Sequence, residues 1–106
     1  MLDQLEFPGE LWLSPGPGGW TFITMPQDCA DQIRFYTGRQ KGRAWGMIKV
    51  RAGICSSTWD TTIWPDKASG SFLLPVKAAV RKKEGIAAGD SADVVLRLLV
   101  PPGFWT

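Results

Sequence analysis

Gly70 to Asp90, GSFLLPVKAAVRKKEGIAAGD, is the stretch whose reading decides the fold. Ser71 to Leu74 reads as a short strand emerging from a turn. Pro75 then suits a helix start, because its ring fixes φ and its missing N–H is not needed in a first turn. Val76, Ala79 and Val80 share one face of that helix, leaving Lys77 and Arg81 on a flank and Lys82 and Lys83 in water. Gly85 stops it, since a left-handed residue is easiest for glycine. After a turn at Gly89 and Asp90, residues 92–100, ADVVLRLLV, alternate Val94, Leu96 and Leu98 against Val95, Arg97 and Leu99, the period of a strand with one inward face.

The chain before this stretch has the same grain. LWLSPGPGGWTFITMP places Leu11 to Leu13 and Trp20 to Met25 as two strands around a Pro and Gly loop. Pro26 suits the first helical position, with Asp28 and Asp31 in the early turns where the helix dipole favours acids. Cys29, Ile33 and Tyr36 form the helix's apolar stripe, and Gly38 ends it. A strand is expected from Ala44 to Arg51, with Ile48 and Val50 on one face and Trp45 and Met47 on the other. Residues 54–64, ICSSTWDTTIW, read as a further strand rich in β-branched and aromatic residues. TFITMPQDCADQIR and SFLLPVKAAVR both run from a hydroxyl residue and Phe through apolar residues and Pro to a helix, which suggests a structural half-repeat with a one-residue gap.

With 106 residues, 44% of them hydrophobic, and 12 Gly, 8 Pro and 6 Trp, the chain is a turn-rich single domain over residues 1–106. The tail 101–106, PPGFWT, is expected to leave the sheet and lie loose. MLDQLEFPGE lacks the basic and apolar segments of an export signal, and Val94 to Val100 is too short to span a bilayer. A soluble cytoplasmic protein is the expectation.

The chain contains no histidine and only Cys29 and Cys55, so the usual zinc sets cannot be assembled and no metal or cofactor is expected. Both thiols are read as small buried groups. Without histidine, a Ser–His–Asp or Cys–His hydrolase lacks its general base. Asp60 and Asp66 flank TTIW as a formal carboxylate pair, but read as solvated turn acids. Neither ASGSFLL nor GIAAGD is a phosphate loop, because each leads into a strand and not a helix.

The charge of +2 is unevenly distributed. No acid occurs from Gln32 to Trp59, where Arg34, Arg39, Lys41, Arg43, Lys49 and Arg51 lie, and Lys77, Arg81, Lys82 and Lys83 form a second basic group. Their ordinary role is to solubilise exposed faces and complement a helix dipole. If they converge, they offer a footprint for nucleic acid or another polyanion, with Trp45 or Trp59 for stacking.

GWTFITMP and TIWPDKASGSFLLPVKAAVRKKEGIAAGD resemble a family of uncharacterised bacterial and archaeal domains, the domain-of-unknown-function family numbered nineteen hundred and five. The resemblance covers roughly residues 5–99. It is most specific in the order Pro65, Gly70, Leu74-Pro75-Val76-Lys77, Arg81-Lys82, Gly85 and Gly89-Asp90. It implies a mainly β fold, a small closed β-barrel of the double-split kind with six or seven strands and two short helices, in a bacterial protein. Some relatives carry a further bacteriocin-protection-like segment, and PPGFWT departs from the family's closing strand. The family brings no established activity.

Recognition-type side chains without catalytic machinery point to a non-catalytic barrel module that binds a partner protein or a small ligand. The candidate binding residues are Trp59, Thr62, Trp64 and Asp66 on one rim and Lys77, Arg81 and Lys82 along the second helix. Sequence-tolerant nucleic-acid or polyanion binding through the basic groups is the alternative, and an enzyme of unfamiliar type comes last.

Overall fold

A computed structural model of the chain describes residues 4–15, 18–37 and 47–99. It is a closed barrel of six strands with two short helices. The elements run β1 (Leu5–Leu13), β2 (Thr21–Thr24), α1 (Gln27–Thr37), β3 (Ile48–Ile54), β4 (Ser57–Asp66), β5 (Ser71–Pro75), α2 (Ala78–Glu84) and β6 (Ser91–Leu98). Around the barrel the order is β1-β2-β5-β4-β3-β6, with every neighbouring pair antiparallel. Closure gives every strand a partner on both sides over part of its length.

Alternation builds the interior. Ile48, Val50, Ala52 and Ile54 of β3 are fully buried while Lys49 and Arg51 face water, and β6 turns Val94 and Leu96 inward. Leu5, Phe7 and Leu11 of β1, Ile63 of β4 and Leu74 of β5 complete one core, onto which α1 adds Cys29, Ala30 and Ile33.

The two longest strands each serve two partners. β1 pairs with β6 from Leu5 to Glu10 and with β2 only from Leu11 to Leu13. β4 pairs with β3 from Ser57 to Ile63 and with β5 only from Trp64 to Asp66. Each therefore has one side that no described strand pairs over its first half. Exchanging β1β2α1β3 with β4β5α2β6 reproduces every neighbour in the barrel, so the faint sequence echo corresponds to a two-fold relation in topology.

Several boundaries differ from the sequence expectation. β1 begins at Leu5 and not at the expected Leu11, with Pro8 and Gly9 lying within the strand. Pro8 lacks a donor but lies on the half of β1 that has a strand on one side only. Gly9 is required by contact, since a Cβ there would overlap Ile23 Cγ2.

β3 continues to Ile54, and β4 begins at Ser57. Ile54 pairs with Ser57, so Cys55 and Ser56 form a two-residue hairpin loop, in which Cys55 takes φ 53°. Cys55 is consequently exposed, contrary to the expectation for both thiols, while Cys29 is buried. Burial pushes the Cys29 thiol above its ordinary value, with nearby Asp28 adding to the rise.

Pro75 ends β5 instead of starting α2, and Lys77 takes the cap position, its carbonyl accepting from Val80 and Arg81 N–H. Within α2 only Val80 is buried, and Ala79 faces water. Gly85 caps the helix at φ 67°, as its sequence position suggests. The expected strand start at Ala44 and the expected tail 101–106 lie outside the described residues.

Candidate functional site

The uncovered first half of β4 opens a cleft between that strand, the start of α2 and the turn preceding β2. Its walls are Gly18 to Thr21, Trp59 to Thr62 with Trp64, and Pro75 to Ala78 with Arg81, with Met47 just before β3. Its volume is about 650 Å³, within the range of small-molecule sites.

Topology explains why the opening is here. The two-fold relation sets α2 and the turn before β2 against α1 and the turn before β5. On the α1 side the chain's own side chains bridge the two: Gln27 Nε2 donates to the Ser69 carbonyl, and an Arg34 terminal nitrogen donates to that of Gly70. The Arg34 guanidinium also lies 5.3 Å from the Phe72 ring centre and pairs with Asp31 at 3.2 Å. On the α2 side Arg81 Nε instead donates back to the Val76 carbonyl at 3.1 Å, so no such bridge spans the cleft from this residue.

One wall is aromatic. Trp20 stacks on Phe22 with centroids 6.2 Å apart and planes 11° apart, and it meets Trp64 at 5.7 Å and 53°. Trp64 also packs edge-on to Phe22 at 5.7 Å. Trp20 is 55% exposed, although its ring is braced on two sides. Trp12, which packs on Phe22 with centroids 5.4 Å apart, is anchored by an Nε1–H bond to Thr24 Oγ1 at 2.9 Å.

Trp59 stands apart. It is only 5% exposed, it lines the cleft, and its Nε1–H has no acceptor, the one such buried side-chain atom among the described residues. An unpartnered buried donor costs about 1–3 kcal/mol, and native folds rarely leave one.

The charges at the mouth are unequal. Lys77 and Arg81 have no carboxylate partner among the described residues. Asp60, which also lines the cleft, is bound by Arg51 through Nε at 2.7 Å and a terminal nitrogen at 3.1 Å. That hydrogen bond, aided by the attraction of the guanidinium, holds the Asp60 carboxyl below its ordinary range.

Five of the residues expected to bind, Trp59, Thr62, Trp64, Lys77 and Arg81, therefore meet at one cleft. Asp66 does not line it: its carboxylate accepts from Ser69 N–H at 3.2 Å and Ser69 Oγ at 2.7 Å, fixing the turn before β5. Lys82 is exposed on α2 away from the lining, and Lys83 is likewise exposed. The basic residues of the alternative footprint are scattered in role. Arg34 tethers α1 to the turn before β5, Arg51 pairs with Asp60, and Lys49 stands exposed on β3. Arg39, Lys41, Arg43 and Trp45 lie outside the described residues. Asp60 and Asp66 serve an ion pair and a turn, and no cluster of metal-ligating side chains occurs among the described residues. Trp20 and Met47, both lining the cleft, were not singled out by the sequence; an aromatic directly after PGPGG was the available signal for the first.

The family profile described as Domain of unknown function (DUF1905) matches residues 7–96, most of the chain and the whole barrel apart from short ends of β1 and β6. The chain belongs to the DUF1905 family. This membership agrees with the closed six-stranded barrel and its two helices, and it carries no activity. No curated protein matches the chain. Among the described residues of this DUF1905 chain, no helix is long and apolar enough to cross a membrane.

Proposed function

We propose that the protein is a non-catalytic binding module of the cytoplasm whose cleft between β4 and α2 receives a small ligand. The observation that carries this reading is the buried Trp59, a residue that lines the cleft and whose Nε1–H lacks an acceptor. A ligand acceptor would restore the missing hydrogen bond, and the Trp20 and Trp64 faces supply apolar contact of the kind that small-molecule sites use. Catalysis has less support, because the acids near the cleft serve an ion pair and a turn. Polyanion binding has less to draw on, since Arg34 and Arg51 are engaged locally.

The test is a thermal-shift screen of small planar compounds against the wild type, Trp59→Phe and Trp64→Ala. Compounds that raise the wild-type melting temperature are expected to lose their effect in both variants. A screen without any stabilising compound, or with shifts that survive both substitutions, would remove the cleft as a binding site.

A further inference from the structure

We infer that the ligand is a small planar organic anion, its flat body against Trp20 and Trp64, its charged group between Lys77 and Arg81, and an acceptor atom on the Trp59 Nε1–H. This rests on the binding reading above and adds the chemical class.

The aromatic wall selects a flat apolar body. Trp20 and Trp64 meet at 53° with centroids 5.7 Å apart, so together they form a corner and not a single plane. Trp20 is held by its stack on Phe22, so little side-chain freedom remains to be lost when a ring packs against it. Met47, 57% exposed at the cleft, supplies a polarisable and adaptable contact.

Charge selects an anion. The one acid in the lining, Asp60, is matched by Arg51 through two hydrogen bonds at 2.7 and 3.1 Å. Lys77 and Arg81 have no such counterpart among the described residues, so the uncompensated charge of the cleft is positive. The bond from Arg81 Nε to the Val76 carbonyl holds the guanidinium at the junction of β5 and α2 and leaves its terminal nitrogens as donors. Carboxylate and phosphoryl groups both suit such a pair.

Polarity selects an acceptor on the body of the ligand. Trp59 Nε1 only donates, and it is buried without a partner. A cationic or donor-only compound would leave that hydrogen bond unmade and meet Lys77 and Arg81 with like charge.

The experiment is isothermal titration of the full chain with indole-3-carboxylate, phenyl phosphate and the neutral indole-3-carboxamide. The proteins are wild type, Trp59→Phe, Lys77→Met and Arg81→Met, each checked for fold by circular dichroism. At least one anion is expected to bind about tenfold more tightly than the carboxamide, more weakly as salt is raised, and about tenfold more weakly to Lys77→Met and Arg81→Met. Which anion binds better distinguishes a carboxylate from a phosphoryl ligand. Equal binding of carboxamide and anions, or anion affinity indifferent to both cation substitutions, overturns the anion assignment. In that case loss of carboxamide binding in Trp59→Phe would leave the cleft reading standing. Anion binding unchanged by Trp59→Phe overturns the acceptor contact, and failure of every probe to bind at millimolar concentration overturns both inferences.

Discussion

Trp59 is the residue on which structure and function meet. It fills the barrel interior, yet its one polar atom is unsatisfied. Trp59→Phe therefore brings opposed effects: a lost ring portion leaves a void, and removal of the orphan donor relieves a cost of about 1–3 kcal/mol. Denaturant unfolding of the free protein should show a net loss below about 1.5 kcal/mol, whereas a loss above about 3 kcal/mol would mean that the donor is satisfied in solution. Gly9 is simpler. With Ile23 Cγ2 in the space of a Cβ, Gly9→Ala is expected to cost about 1–3 kcal/mol by overpacking, and an unchanged midpoint would contradict the contact.

Glu84 gives a residue-scale prediction in pH. The Ser57 hydroxyl donates to its carboxylate at 2.5 Å and Ser56 at 3.1 Å, and the Ser57 bond is the main cause holding Glu84 below its ordinary value of 4.5. A carboxylate with a depressed folded-state value stabilises the fold above its unfolded value and loses that contribution as pH falls through the folded one. Ser57→Ala should accordingly be less stable than wild type near neutrality, with the gap closing as the solution is acidified below 4.5. A gap constant from pH 7 to pH 3 would show that Glu84 is not involved.

At the scale of elements, α2 flanks the cleft along the side of β4 that no described strand pairs, and its ends matter more than its length. Lys77 and Gly85 bound a helix of 7 residues, too short to persist without tertiary contacts. Gly85 sits at φ 67°, where a Cβ meets nothing but the backbone conformation disfavours it. Gly85→Ala should cost about 1 kcal/mol and speed amide exchange in α2 more than in α1. Uniform exchange across both helices would argue against local control by the cap.

Element boundaries also mark where the sequence was legible. The inner faces of β3 and β6 were readable because strict alternation leaves little ambiguity, as Ile48, Val50, Val94 and Leu96 illustrate. The first half of β1 was hidden by Pro8 and Gly9, whose turn chemistry is overridden by a one-sided strand and a close approach to Ile23. The β3–β4 loop was hidden for the opposite reason. Cys55 carries a positive φ without the Gly or Asn that usually announces it.

For the whole molecule, the two-fold relation of the barrel accounts for both what is closed and what is open. Equivalent junctions exist at α1 and α2, but Gln27 and Arg34 bridge the first, while Arg81 folds back on Val76 and leaves the second accessible. Part of the cleft was visible in the sequence as a group of side chains, Trp59, Thr62, Trp64, Lys77 and Arg81, because β4 and the β5–α2 junction are close in the chain. The contribution of Trp20 was not, since it depends on closing the barrel through β2 and β5.

The central claim is that Trp59, a residue on the wall of a ligand-sized cleft, holds an unused donor that a ligand satisfies. Its most direct measurement is the indole N–H resonance of Trp59, assigned by its loss in Trp59→Phe and followed through a titration with indole-3-carboxylate. The resonance should start in the range of a non-hydrogen-bonded indole, move downfield and saturate with the binding isotherm. A resonance already hydrogen-bonded in the free protein, or one that stays fixed throughout the titration, would contradict the account.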